Sequence, residues 1–260
     1  MKGQTSKLPG IITFSCLLVV ANSLNAATIL FSDTFDSYAD GKDDTAFQVA
    51  YNVPVAAGSY TVVSSTGLGG SKGLQNTVDS MIVRDDVAGD LSSGAITINL
   101  HFQWVSGGGG ISGPQIGLVG TFNGGFTGAS DIGGRLNNNK LQIRSNNSSI
   151  ITDDTTQTFT AGSWYQLSTT ITRITTTNQL SVLLQLFSSD SSGAITGLMD
   201  SISSNITNSN IWIDTTLFAA IRENMNIISL DNFAMTQVPE PRTALLGGLG
   251  ILALLRRRRQ

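Results

Sequence analysis

His101 is the only imidazole in the 260-residue chain, so any Ser-His-Asp relay would have to run through it. It stands between Asn99 and Gln103 on the polar side of an alternating segment, where an exposed or hydrogen-bonded surface histidine is expected. Glutamates number two, Glu223 and Glu240. The adjacent aspartates Asp43-Asp44, Asp85-Asp86 and Asp153-Asp154 fall in expected turns, and neighbours on a strand point to opposite faces, so such a pair does not converge on one substrate. Arg222-Glu223 reads as a solvated ion pair. An aspartate starts from a pKa of about 3.9 and needs burial or a like-charged neighbour to become a general acid. With so few groups able to move a proton near neutral pH, the expectation is a protein without enzymatic activity.

The single cysteine, Cys16, lies inside an apolar N-terminal run. The exported chain then has no disulfide, thiol catalysis or thiolate metal site. Its ligand supply is carboxylate and carbonyl oxygen, which suits calcium before any softer metal. Residues 27–237 carry 17 acidic against 8 basic side chains, nine net negative charges, which the four terminal arginines partly conceal in the whole-chain value of −3. A charge of that sign repels phosphate backbones and argues against nucleic-acid binding.

These groups must be positioned by strands. In Ala95–Trp104, Ile96, Ile98, Leu100, Phe102 and Trp104 share one face, while Thr97, Asn99, His101 and Gln103 share the other, a period of two that predicts a strand with one buried side. A hairpin follows later: Tyr165, Leu167, Thr169 and Ile171 alternate, Thr175–Asn178 turns the chain, and Leu180, Val182, Leu184 and Leu186 resume. Weaker strands are read at 59–64, 81–84, 115–122, 140–144, 211–213, 217–222 and 228–235. β-branched runs separated by Gly, Asn, Asp and Ser predict an all-β fold, a single sandwich or jelly roll, rather than alternating βα units. About 210 residues suit one two-sheet core.

Both ends have another purpose. Lys2 and Lys7 precede Ile11–Ala21, and small residues follow at Ala26 and Ala27, the order of a secretory signal peptide in helical form over residues 1–26. The apolar run of 11 residues is about half of the ~20 that a spanning helix needs. The other end reads VPEPRTALLGGLGILALLRRRRQ. Its prolines favour extended backbone. The run Ala244–Leu255 would form a short transmembrane helix of about 18 Å against a hydrocarbon core of ~30 Å. Snorkelling arginines and local thinning still permit temporary anchoring. Clustered arginines favour the cytoplasmic side and place residues 28–236 outside.

Val238–Arg259 resembles the PEP-CTERM sorting signal end to end, in the version common in Verrucomicrobia-type bacteria. The resemblance implies recognition by an exosortase at Pro239, Glu240 and Pro241, with Arg256, Arg257, Arg258 and Arg259 as the cytoplasmic stop. It also implies passage through the secretion machinery, a transient hold in the membrane through residues 238–260, and delivery to the cell surface beside extracellular polysaccharide.

The middle of the chain resembles concanavalin A-like, or laminin G-like, jelly rolls. Phe31-Ser-Asp-Thr-Phe-Asp-Ser-Tyr looks like their first strand, Gly162-Ser-Trp-Tyr-Gln-Leu a middle strand and Leu230-Asp-Asn-Phe-Ala-Met the last. Such domains bind glycans or proteins, and some cleave glycans with a Glu-x-Asp-x-x-Glu segment that this chain lacks. The resemblance puts a structural calcium where the first and last strands meet, with Asp33, Asp36 and Asp231 as its ligands. The resulting expectation is a non-catalytic binding or structural protein of the cell surface or matrix. A lectin-like module, with Asn99, His101 and Gln103 near Trp212 or Tyr165 as its ligand face, is the alternative. A glycan-degrading jelly-roll enzyme is a second.

Overall fold

The alternation read at Ala95–Trp104 is realised: Ile96, Ile98, Leu100 and Phe102 are wholly buried in the core, and Thr97, Asn99 and Gln103 are not. The computed structural model describes residues 27–41, 45–52, 60–76, 80–104, 112–120, 126, 131–146, 148–213, 216–223 and 228–239, all within one unit, Ala26–Glu240. In chain order the elements are β1 (Thr28–Asp33), α1 (Thr45–Ala50), β2 (Tyr51–Asn52), β3 (Tyr60–Val63), β4 (Gly73–Asn76), β5 (Ser80–Gly89), β6 (Gly94–Trp104) and β7 (Ser112–Val119). They continue with β8 (Asp131–Asn137), β9 (Lys140–Ser145), β10 (Ser148–Thr152), β11 (Trp164–Ile174), β12 (Gln179–Ser189), β13 (Ile195–Ile206), α2 (Ser209–Ile213), β14 (Leu217–Glu223) and β15 (Ile228–Pro239).

The strands form two antiparallel sheets. One runs β13-β12-β11-β6-β15-β4-β3, with β1 also paired to β15; the other runs β10-β9-β8-β7-β14-β5-β2. This is a jelly-roll sandwich. The inward rows of both sheets, such as Leu100, Leu167 and Leu184 from the first and Ile116, Leu136, Ile143 and Ile221 from the second, make one core. The expected hairpin is present as β11 and β12, in register from Trp164↔Ser189 to Ile174↔Gln179. Asn178 turns it at φ 51, a conformation asparagine tolerates well.

Departures from the expected strands have local causes. Ile211–Ile213, read as a strand from its β-branched residues, belongs to helix α2. Asn208 caps it, its Oδ1 accepting from Ile211 N at 3.1 Å, and a cap bond outweighs weak β propensity over so short a span. Asp85 and Asp86 lie inside β5 rather than in a turn. The strand β8 was hidden by Gly133 and Gly134, and β13, with its largely exposed edge, lacks the apolar alternation that marks its partner. Finally, β15 runs past residue 236 to Pro239, which pairs with Gly94 of β6.

Candidate functional site

Asp33 lies on the core side of β1. Its Oδ2 accepts from Tyr38 Oη at 2.6 Å, Tyr51 Oη at 2.9 Å and Arg84 Nη1 at 2.7 Å, and its Oδ1 accepts from Phe35 N at 2.8 Å. Arg84 stacks over the rings of Phe31 and Tyr51 and holds Asp86 with its remaining nitrogens. The Tyr38 and Tyr51 phenols are pushed upward, first by burial and then by the Asp33 carboxylate. This is a hub joining β1, β2 and β5.

Asp231 belongs elsewhere. It pairs with His101 on the outer side of the sheet, where its Oδ2 accepts from Leu68 N at 2.7 Å and Ser71 Oγ at 3.0 Å, and its Oδ1 from Asn232 N at 2.7 Å. A Cβ at Gly67 would stand 2.7 Å from that Oδ2, so glycine lets the loop approach the carboxylate. Burial raises the Asp231 pKa against these bonds, and the nearby charge of Asp36 adds to it. Asp36 itself accepts from Lys72 N at 2.9 Å. Asp33 and Asp231 therefore face opposite sides of one sheet, and the three aspartates do not fit one shared calcium. Among the described residues no three His, Cys, Asp or Glu side chains converge as a metal site.

The expected ligand face at Asn99, His101 and Gln103 is largely closed. His101 is buried; its Nε2 donates to Gly193 O at 3.1 Å, from the turn after β12, and desolvation lowers its pKa. Gln103 Nε2 donates to Gly162 O at 2.9 Å. Tyr165 points into the core, its ring stacked on Phe102 at 5.6 Å. Trp212 sits in α2 under Arg173. Neither aromatic joins Asn99.

The second sheet carries the more developed outer face. Inward positions are fixed by Ile221, Ile116, Leu136 and Leu141, so their sequence neighbours point out. Register then aligns one row across five strands: Arg222 of β14, Gln115 of β7, Arg135 of β8, Gln142 of β9 and Thr152 of β10. Arg135 Nε donates to Gln142 Oε1 at 2.6 Å, and Gln142 Nε2 donates to Thr152 Oγ1 at 2.7 Å, which fixes the Arg135 fork. The next row contains Ala220, Gly117, Gly133 and Arg144. Gly117 and Gly133 are pressed so closely that a Cβ on either would meet the other strand's backbone at 2.2–2.3 Å. Both glycines are themselves buried. Beside them Phe126 packs with Met81, Val83, Val119 and Ala220 as a small apolar cluster.

This face is basic. Arg135, Lys140, Arg144 and Arg222 are four of the eight cations of residues 27–237, and all occupy outward positions of β8, β9 and β14. Desolvation, followed by the charges of Arg144 and Arg222, brings the Arg135 pKa down to about 10. Arg144 is lowered by desolvation and by Arg222. Gln115 is buried, with no hydrogen-bond partner for its Nε2 among the described residues. No sequence expectation included this row. The outward spacing Lys140-x-Gln142-x-Arg144 was visible, but its partners became neighbours only through long-range pairing.

Two acidic features also differ from expectation. Glu223 is fully buried on the core side of β14, with neither carboxyl oxygen hydrogen-bonded among the described residues, and burial raises its pKa well above the ordinary value. It is not the solvated partner of Arg222. Asp153 and Asp200, remote in sequence, act on each other's acidity: burial and then the Asp153 carboxyl raise Asp200.

Of the expected sorting residues only Pro239 is described; Glu240, Pro241, Arg256, Arg257, Arg258 and Arg259 lie outside the described residues, as does the signal segment 1–26. Residues 237–259 match the PEP-CTERM protein-sorting motif. The tail is a sorting signal. The chain is accordingly exported, directed to the cell surface and an exosortase substrate. No curated protein sequence matches it. Among solved structures, lectin II from Ulex europaeus is similar at 13% identity and TM-score 0.50, covering 80% of this chain and 98% of the lectin. The carbohydrate esterase vb_24B_21 of Shiga toxin-encoding bacteriophage phi24B is similar at 14% identity and TM-score 0.48, over 81% of this chain and 99% of that one. Carbohydrate binding module CBM66 from Bacillus subtilis stands at 10% identity and TM-score 0.41, over 72% and 94%. The likeness to lectin II shows the lectin-type jelly roll and nothing of ligand. Among the described residues no helix is long and apolar enough to cross a membrane.

Proposed function

We propose that this PEP-CTERM protein is a non-catalytic, glycan-binding component of the cell surface or extracellular matrix, held in the membrane by its tail until an exosortase releases it. The observation that carries the binding role is the cross-strand row Arg222, Gln115, Arg135, Gln142 and Thr152. Amides, a hydroxyl and guanidinium forks in a line supply the donors and acceptors that sugar hydroxyls need, on strands rigid enough to keep them in place. The role is argued from this face, since a jelly roll hosts many functions.

Co-sedimentation with a panel of extracellular polysaccharides tests it. Binding of at least one member should weaken in Gln142→Ala and Arg135→Ala proteins, without release of reducing ends. No binding across the panel, or binding untouched by either variant, rejects the site. The Asp153–Asp200 pair favours a second reading, glycan cleavage, because Asp153 is lowered and Asp200 raised, and carboxyls of unlike acidity are what acid-base work needs. Reducing ends released by the wild type and abolished by Asp200→Asn would establish that reading instead.

A further inference from the structure

Resting on the glycan-binding reading, we propose that the ligand is polyanionic, a polysaccharide carrying carboxylate or sulfate groups, held by Arg135, Arg144 and Arg222 on the outer face of the second sheet. The domain has nine net negative charges over residues 27–237, so a chance surface would show carboxylates here. It shows four of eight cations; of the described acidic residues on this face, Asp131 at the far end of β8 is buried and Asp85 is exposed on β5, away from the arginine row.

Spacing selects a polymer. Arg222 and Arg135 are two strands apart, about 10 Å at the usual strand separation of ~4.8 Å, with Gln115 between them. Arg144 lies one strand and one row from Arg135. Three guanidiniums at such intervals suit several anionic groups along a chain better than one small anion. Each guanidinium is a planar fork that takes carboxylate or sulfate oxygens pairwise. Burial first, and the charges of their arginine neighbours second, lower the pKa values of Arg135 and Arg144, so these guanidiniums lie close together at the sheet surface. The buried Gln115 Nε2 supplies an unspent donor in the middle of the row.

The experiment uses full-length protein in a neutral detergent, titrated with polygalacturonate, dextran sulfate, unmodified dextran and galactan at 20 and 500 mM salt. Polygalacturonate or dextran sulfate should bind at low salt and weaken at least tenfold at high salt, because screening cuts contacts between charges. Arg135→Gln and Arg222→Gln should each weaken binding about tenfold, and Arg135→Lys partly. Ser203→Asp, on exposed β13 of the other sheet, changes net charge by the same unit and should alter binding less than twofold; circular dichroism checks that each variant is folded. If dextran or galactan binds through this face as tightly and without salt dependence, the anion inference fails while the glycan reading stands. If no polysaccharide binds, both fail. If duplex DNA or phosphatidylglycerol vesicles bind as tightly as the anionic glycans, the face reads charge alone and the proposal is overturned.

Discussion

Arg222 and Glu223 are consecutive in the chain and lie on opposite faces of β14, the guanidinium in the outer polar row and the carboxyl sealed among core residues. A one-residue step on a strand reverses the side chain, so sequence adjacency here means separation. Among the described residues neither carboxyl oxygen has a hydrogen-bond partner, and burial favours its protonated form.

Removing that titration should therefore stabilise the domain at high pH. Burial raises the folded-state pKa of Glu223, so its contribution to stability is fully present below its unfolded pKa, about 4.3, and is lost as pH rises through the folded value. Glu223→Gln should melt within about 1 °C of wild type at pH 4 and several degrees higher at pH 8, since about 1 kcal/mol moves the Tm of a domain this size by ~2–4 °C. Parallel melting curves of the two proteins from pH 4 to 8 would show that Glu223 does not titrate in the core.

The strand phase is open to a paired substitution. Phe102 is fully buried against Tyr165, whereas Gln103, the next residue, is half-buried on the outer face. Phe102→Asp leaves a charge unpaired in the core, costing several kcal/mol of a total of ~5–15, and should unfold the domain. Gln103→Asp loses the bond to Gly162 O and should cost about 1 kcal/mol. Urea denaturation of both variants separates them, and equal losses would put the phase of β6 in error.

How much of this was legible in the residues follows from the range of the interactions. The apolar rows of β6, β11 and β12 announce themselves because period two is local, and the PEP-CTERM tail is a contiguous string. The Asp33 hub and the arginine row were not legible. Arg84 reaches Asp33 across 51 residues, and Arg222 meets Arg135 only through β7, in a register set by the sheet as a whole. The three aspartates were grouped by where strands end, but Asp33 and Asp231 are assigned to opposite sides by strand phase and by the register shift between Asp231 and Ala234.

The Asp33 hub should behave as an ion pair with phenol partners rather than as a calcium ligand. Arg84 and Asp33 are both mostly buried, 15% and 7% exposed at their side chains. Breaking a buried pair from one side leaves the other charge uncompensated and costs about 3–5 kcal/mol. Asp33→Asn should lower the melting temperature by about 6–20 °C, by the same amount with calcium as with chelator. Tyr51→Phe removes one donor of several and should cost about 1 kcal/mol. A loss seen only in calcium would restore the metal reading of Asp33.

Processing is constrained by where β15 ends. Pro239, the first residue of Pro-Glu-Pro, sits opposite Gly94 at the last pairing of β15 with β6, so the motif begins on a paired residue of the sheet. Gly94 has φ +150, and a Cβ there would stand 2.1 Å from Val238 O; glycine lets the strand end close against β6. Strand ends open at little free-energy cost, and an enzyme working beside the motif would engage β15 as it opens. Gly94→Ala should loosen that end and speed release, followed by pulse-chase of membrane and surface fractions. Intact mass of the surface form should begin near Ala27 or Thr28 and lack Arg256–Arg259. Replacing Pro239, Glu240 and Pro241 by alanine should hold the protein in the membrane fraction. Recovery of Arg256–Arg259 in surface material would overturn processing at this site, and unchanged release in Gly94→Ala would show that opening of β15 does not limit it.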